Sequence, residues 1–112
     1  MLERLLKQGG YDLLVAEDGQ QALQKSDDHK GRIDILVADI QMPGMTGSDL
    51  AREMRRARQD LRIILLSPSL QGLLVLDSTW QFLQKPFLPK ALLERIVEVI
   101  KKPPAPHTDS GN

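Results

Sequence analysis

Three polar residues in this 112-residue sequence have the side chains that phosphoryl chemistry requires: Asp39, Ser67 and Lys85. Each comes at the end of a short, largely apolar run, namely IDILVAD, LRIILLS and WQFLQK. A carboxylate can act as a nucleophile toward phosphorus and form an aspartyl phosphate. An ammonium group can neutralise charge on the phosphoryl oxygens, and a hydroxyl can donate a hydrogen bond to them. Together, these residues predict a site that accepts a phosphoryl group, provided that the fold brings them to one place.

Each of these residues also has an ordinary structural interpretation. An aspartate at a strand end often bonds its own backbone in a turn. Ser67 precedes Pro68 and could simply end a strand, while Lys85 precedes Pro86 and could be a solvated loop residue. Their joint position at the ends of three successive predicted strands favours the chemical interpretation.

Short apolar runs alternate with longer amphipathic segments along the chain. The apolar runs predict four strands, at Asp12–Ala16, Arg32–Asp39, Leu61–Ser67 and Trp80–Gln84. Apolar residues at helical spacing predict four helices: one that starts at Leu2 and stops at Gly9-Gly10, then Gln20–Lys25, Thr46–Arg58 and Ala91–Lys101. The run Leu70–Leu76 fits either kind of element.

The predicted strands are apolar on both faces and are separated by helices. This pattern predicts an α/β fold with a parallel sheet that is covered on both sides. Ligand chemistry in such folds collects at the carboxyl ends of the strands. Because Asp39, Ser67 and Lys85 end three of the strands, we expect their side chains to converge at one edge of the sheet.

Composition and charge exclude several classes of function. Fifteen basic and 15 acidic residues balance, so no overall field favours nucleic acid or an anionic membrane as a partner. The absence of cysteine excludes disulfides and thiolate metal sites. No apolar run approaches the roughly 20 residues that span a bilayer. We expect a cytoplasmic soluble domain at residues 1–102, followed by a Pro-rich polar tail or linker at 103–112.

Three motifs resemble the receiver domains of bacterial two-component signalling, over residues 1 to about 102: DIQMPGMTG, which begins at Asp39, IILLS, which ends at Ser67, and FLQKPF around Lys85. The segment from Val75 onward is most similar to receivers of hybrid sensor histidine kinases. The resemblance implies a flavodoxin-like doubly wound sheet of strand order 2-1-3-4-5. It also implies a histidine kinase or phosphotransfer protein as the phosphoryl donor.

The same resemblance implies a role for each matching residue. Asp39 would be the phosphoacceptor, Ser67 the phosphoryl-binding switch residue and Lys85 the electrostatic partner. Phe82 would be the aromatic residue that swings inward on activation, and the Lys85–Pro86 bond is often cis in the family. The family cofactor is Mg²⁺, which Asp39 and the backbone carbonyl of Gln41 would bind.

The beginning of the sequence departs from the receiver pattern. It aligns inside the family's first helix, so it lacks the first strand and the acidic pair that binds Mg²⁺. Asp12–Ala16 and the next predicted strand would then face a gap, whose unpaired edges allow a homodimer or strand exchange. Asp39 and one carbonyl are too few ligands for Mg²⁺. Glu17 and Asp18 are the nearby acids that could substitute, although Glu17-Asp18-Gly19 is first of all typical of a turn.

These features leave two main hypotheses. The chain is either a phosphoacceptor receiver or a non-phosphorylatable pseudo-receiver that acts as a protein-interaction module. A phosphatase with an aspartate nucleophile is disfavoured, because no second acid lies near Asp39 in the sequence to act as general acid. We therefore expect a signalling module rather than an enzyme.

Overall fold

The structure is a computed structural model that describes residues 2–71 and 79–101. The described elements, in chain order, are α1 (Leu2–Gln8), α2 (Gly19–Asp28), β1 (Ile35–Asp39), α3 (Gly47–Ala57), β2 (Arg62–Ser67), β3 (Gln81–Gln84) and α4 (Pro89–Lys101). The predicted tail at 103–112 and most of the ambiguous run Leu70–Leu76 lie outside the described residues. No helix in the described ranges is long and apolar enough to cross a membrane.

The three described strands form one parallel sheet in the order β1-β2-β3. The register places Asp39 beside Leu66, and Ser67 beside Gln84, so the strands end at the same edge of the sheet. Because α3 lies between β1 and β2 in the chain and α4 follows β3, parallel strands and helices combine as predicted, and the α/β class is confirmed.

The prediction of a strand at Asp12–Ala16 is wrong. This segment has no strand structure, and no strand in the part of the chain that the structure describes pairs with it. Leu14 and Val15 are 51% and 44% exposed, respectively, although they are large and apolar. An apolar run becomes a strand only when a neighbouring strand bonds its backbone. The apolar pattern is present here, whereas the hydrogen-bonded partner is not among the described strands.

The core is divided in two by the sheet, because side chains of a strand alternate between its faces. Ile63 and Leu65 of the central strand β2 pack on the side of α3, with Leu50 and Met54. The next residues along the strand face the other way, toward α4. The buried residues of that second cluster are Ile64, Leu66, Leu92, Ile96 and Val99. This arrangement confirms a sheet with helices on both faces.

Arg58 ties the end of α3 to the end of α2. Its guanidinium group donates to the Ser26 hydroxyl at 3.1 Å and to the Ser26 carbonyl at 3.0 Å. It also donates to the carbonyls of His29, at 2.9 Å, and Gly31, at 3.0 Å. The carbonyls at a helix end lack partners within the helix, so one arginine here satisfies several of them and fixes how the two helices lie together.

Candidate functional site

Asp39 and Lys85 form an ion pair at the carboxyl edge of the sheet. Asp39 is the last residue of β1, and Lys85 directly follows β3. The central strand β2 lies between them, so the two backbones are about two strand spacings, or roughly 9.6 Å, apart. The lysine ammonium group crosses this gap and contacts Oδ1 of the carboxylate. The side chains as a whole are 43% (Asp39) and 41% (Lys85) exposed, whereas Oδ1 itself is buried, so a ligand from solvent reaches the carboxylate at its other oxygen.

Ser67 lies at the same edge, but its hydroxyl bonds its own loop. The residue is buried, and Oγ donates to the carbonyl oxygen of Ser69 at 2.8 Å. The same Oγ accepts a hydrogen bond of 3.3 Å from the backbone N–H of Ser69. A hydroxyl has a single proton to donate, so in this conformation Ser67 does not donate to Asp39.

The end of β3 holds the loop that follows β2. The backbone N–H of Lys85 donates to the Ser67 carbonyl at 2.8 Å and extends the ladder past the strand ends. The side-chain amide of Gln84 donates to the Pro68 carbonyl at 3.1 Å. The carbonyls of two consecutive residues, Ser67 and Pro68, therefore accept hydrogen bonds from the segment that carries Lys85.

Gly47 allows α3 to start directly against the end of β1. A Cβ atom at this position would lie 2.2 Å from the carbonyl oxygen of Asp39, a distance that no side chain tolerates. The Gly47 N–H donates to the Ile40 carbonyl at 2.8 Å. The hydroxyl of Thr46 then caps the helix by accepting from the Asp49 N–H at 3.0 Å. These contacts fix the position of the Asp39 backbone and therefore of its carboxylate.

Phe82 and Pro86 flank the Lys85 segment. Phe82 is buried, in the core cluster on the α3 side of the sheet. Its carbonyl accepts a hydrogen bond of 3.1 Å from Arg95 of α4. The Lys85–Pro86 peptide bond is cis.

The described side chains do not make up a magnesium site. Within residues 2–71 and 79–101, no group of three or more His, Cys, Asp or Glu residues could hold a metal ion. Asp18 instead caps α2, and its carboxylate accepts from the Gln21 N–H at 2.8 Å. The alternative in which Glu17 and Asp18 complete the site is therefore not supported. Asp39 and the Gln41 carbonyl alone fall short of the six or so oxygen ligands of a hard divalent cation.

Several residues that shape this site were not predicted from the sequence. Gly47 stands in the motif that begins at Asp39, but its close contact with the Asp39 carbonyl depends on how α3 meets β1. No pattern in the sequence points to Gln84 or Ser69, because each acts through a hydrogen bond that forms only in the folded loop after β2. The adjacent pair Ser67-Pro68 indicated only that a strand ends there.

The sheet brings Asp39 and Lys85 into contact at one edge, and comparison with known proteins identifies the family to which this fold belongs. A sequence profile of the family described as "Response regulator receiver domain" matches residues 1–97. The chain belongs to the response regulator receiver domain family. Domains of this family are in general signalling modules rather than classical enzymes, and they interact with histidine kinases or phosphotransfer proteins.

Two curated relatives are each 34% identical to this chain. They are the sensor kinase CckA of Brucella abortus, over 103 residues, and the transcriptional regulatory protein CpxR of Klebsiella pneumoniae, over 105 residues. The matches cover 88% and 91% of this chain, respectively. The chain spans only 11% of the length of CckA and 44% of that of CpxR. The resemblance therefore concerns the receiver part of these longer proteins.

The chemotaxis protein CheY4 of Vibrio cholerae has a similar solved structure. It superposes with a TM-score of 0.77 at 28% identity and covers 88% of this chain and 86% of its own. This similarity confirms the predicted flavodoxin-like, doubly wound fold class.

Proposed function

We propose that this chain is a phosphoacceptor receiver module, which takes a phosphoryl group onto Asp39 from a histidine kinase or phosphotransfer protein. The observation that carries the proposal is the contact between the Asp39 carboxylate and the Lys85 ammonium group at the carboxyl edge of a parallel sheet. Both side chains remain accessible there, and this edge is where α/β folds hold their ligands.

The proposed reaction is a phosphoryl transfer to an oxygen of Asp39. That oxygen attacks the phosphorus of a phosphohistidine, an O–P bond forms, and the N–P bond breaks. The released imidazole nitrogen takes a proton from solvent. Lys85 begins beside the attacking carboxylate and stabilises negative charge on the phosphoryl oxygens as the bond forms. The product is an aspartyl phosphate on Asp39.

The switch in this proposal is a change of partner for the Ser67 hydroxyl. The aspartyl phosphate introduces acceptor oxygens with about two negative charges. Ser67 would leave the Ser69 carbonyl and donate to one of these oxygens. Phe82, the proposed switch aromatic, is already buried in the core on the α3 side of the sheet. The burial of Ser67 and its place at the same strand edge support this role.

Receiver domains typically bind Mg²⁺. The described residues offer too few ligands for this cation, so the proposed steps assign chemistry to Asp39 and Lys85 alone.

We propose further that the module comprises residues 1–102 and acts in the cytoplasm, with 103–112 as a linker. In this proposal the chain makes no direct contact with nucleic acid or membrane.

A direct test is to incubate the chain with acetyl phosphate, with and without Mg²⁺, and to measure the intact mass. The expected result is the addition of one phosphoryl group, which is lost in the Asp39→Asn variant. Asp34→Asn is the matched control, because Asp34 lies just before the opposite end of β1 and pairs with Arg32. The proposal fails if the parent chain takes up no phosphoryl group under either condition.

The short set of metal ligands favours a second candidate, a pseudo-receiver that acts as a protein-interaction module. Such a module binds a histidine kinase or phosphotransfer protein but takes no phosphoryl group from it. Among the described strands, β1 has no neighbour on its outer side, and such an edge allows pairing with a second copy. Pull-down with a purified kinase, combined with the mass measurement, separates the candidates. Sedimentation over a range of concentrations tests for the dimer.

A further inference from the structure

The side chain of Gln84 links β3 to the loop that carries Ser67. We propose that Gln84 is a positioning residue, which holds the Pro68–Ser69 backbone so that the Ser67 hydroxyl stays bonded to Ser69 and away from Asp39. This inference rests on the proposed function, since it concerns how readily Ser67 reaches a phosphoryl group. It assigns a regulatory role to a residue that is next to Lys85 but does not contact the reacting atoms.

The Ser67 hydroxyl is held by two hydrogen bonds to one residue. It donates to the Ser69 carbonyl at 2.8 Å and accepts from the Ser69 N–H at 3.3 Å. Both bonds depend on where the Ser69 backbone lies. A residue that fixes this backbone therefore also fixes the orientation of the hydroxyl.

Gln84 supplies that restraint from a different part of the chain. Its Nε2 donates to the Pro68 carbonyl at 3.1 Å, and Pro68 precedes Ser69 directly. Proline has no N–H and a fixed φ, so the carbonyl is its one backbone group available for anchoring. The register places Gln84 beside Ser67, which brings the amide within reach of the next carbonyl.

The same bond opposes the motion that the proposed switch requires. Ser67 must release its bond to the Ser69 carbonyl before its hydroxyl can donate to a phosphoryl oxygen on Asp39. While Gln84 holds Pro68, the Ser69 backbone remains in the position that re-forms this bond. Removing the Gln84 amide therefore increases the fraction of chains in which the hydroxyl is free.

The variant that tests this is Gln84→Met, which keeps the length of the side chain and its neutral charge but cannot donate. Gln84 is exposed, so the substitution leaves the core intact. Gln81→Met is the matched control, because Gln81 is the same residue type at the opposite end of β3. Asp39→Asn reports any labelling that does not occur at the acceptor.

Two measurements on the full chain are needed. The first follows the unphosphorylated protein by NMR: the Pro68 carbonyl ¹³C shift moves and Ser69 N–H exchange accelerates in Gln84→Met but not in Gln81→Met. The second is the rate of labelling by acetyl phosphate, which rises about fivefold, the effect of one ordinary hydrogen bond. In a Ser67→Ala background this gain disappears, because no hydroxyl remains to be released.

The outcomes separate the inference from the proposed function. Unchanged Ser69 exchange in Gln84→Met overturns the inference, even if Asp39 is labelled. Faster Ser69 exchange with no gain in labelling also overturns it, provided that the parent chain is labelled. If the parent chain takes no label at all, the proposed function fails, whereas accelerated Ser69 exchange would still establish the hold of Gln84 on the loop.

Discussion

The ammonium group of Lys85 contacts the carboxylate of Asp39 across the end of a strand to which neither residue belongs. The contact forms only because all three parallel strands end at the same edge of the sheet. It therefore depends on the strand order as well as on the two residue types. It also places a cation beside the carboxylate before any phosphoryl group arrives.

Lys85→Met should slow labelling of Asp39 by acetyl phosphate about a hundredfold, because the variant lacks the charge that stabilises the phosphoryl oxygens. The free energy of unfolding should change by less than about 1 kcal/mol, since both partners are more than one-third exposed. Mass spectrometry gives the first quantity and urea unfolding the second. Lys90→Met, at an exposed lysine of α4, should affect neither. Equal labelling of both variants would remove Lys85 from the site.

Gly47→Ala should destabilise the chain by about 2 kcal/mol or more, because its Cβ would collide with the Asp39 carbonyl oxygen. Labelling should fall as well, since relief of the collision moves the backbone that carries the acceptor. Gly44→Ala is the comparison. Gly44 has a φ of +79° and open space around it, so its cost of about 1 kcal/mol is one of backbone conformation. If Gly44→Ala impaired labelling as much as Gly47→Ala, collision at Asp39 would not be the cause.

Arg58→Ala should lower the free energy of unfolding by about 2 kcal/mol, because three carbonyls and the Ser26 hydroxyl lose a donor. Arg58→Lys should recover only a small part, since an ammonium group cannot reproduce the planar array of donors. Arg56 provides the control: it pairs with Glu53 on the helix surface, at 3.4 Å, and Arg56→Ala should cost about 0.5 kcal/mol or less. Urea unfolding of the three variants measures these free energies, and equal losses in Arg58→Ala and Arg56→Ala would contradict the prediction.

Thr46→Ala should cost about 1 kcal/mol of stability, because the Asp49 N–H loses the hydroxyl that caps α3. Thr46→Ser keeps the hydroxyl and should unfold at nearly the same urea concentration as the parent. A serine variant as unstable as the alanine variant would indicate that the threonine methyl group, and not the cap, matters at this position.

The sequence predicted the elements whose signals are local. Thr46–Arg58 was predicted as a helix, and the structure has Gly47–Ala57 with Thr46 and Arg58 as its caps. Strand ends at Asp39 and Ser67 were also predicted correctly, because an apolar run that stops at a polar residue marks the point where a buried strand emerges.

The errors and omissions concern relations between segments. Asp12–Ala16 has the composition of a strand, yet strand structure requires hydrogen bonds from a neighbour that a local pattern does not reveal. Ser67 lies at the predicted strand end, but no local pattern reveals that its hydroxyl bonds Ser69 within the loop through Pro68. The bond from Gln84 to Pro68 joins residues 16 positions apart and leaves no trace in either stretch of sequence.

The contact of Arg95 with the Phe82 carbonyl has a consequence for assembly. Neighbouring residues of a strand point their backbone groups to opposite sides, and the Lys85 N–H points toward β2, so the Phe82 carbonyl points away from the sheet. Arg95 thus occupies one of the groups onto which another strand would add beyond β3, while the outer side of β1 is open among the described strands. A strand that added beyond β3 would have to displace Arg95 from this carbonyl.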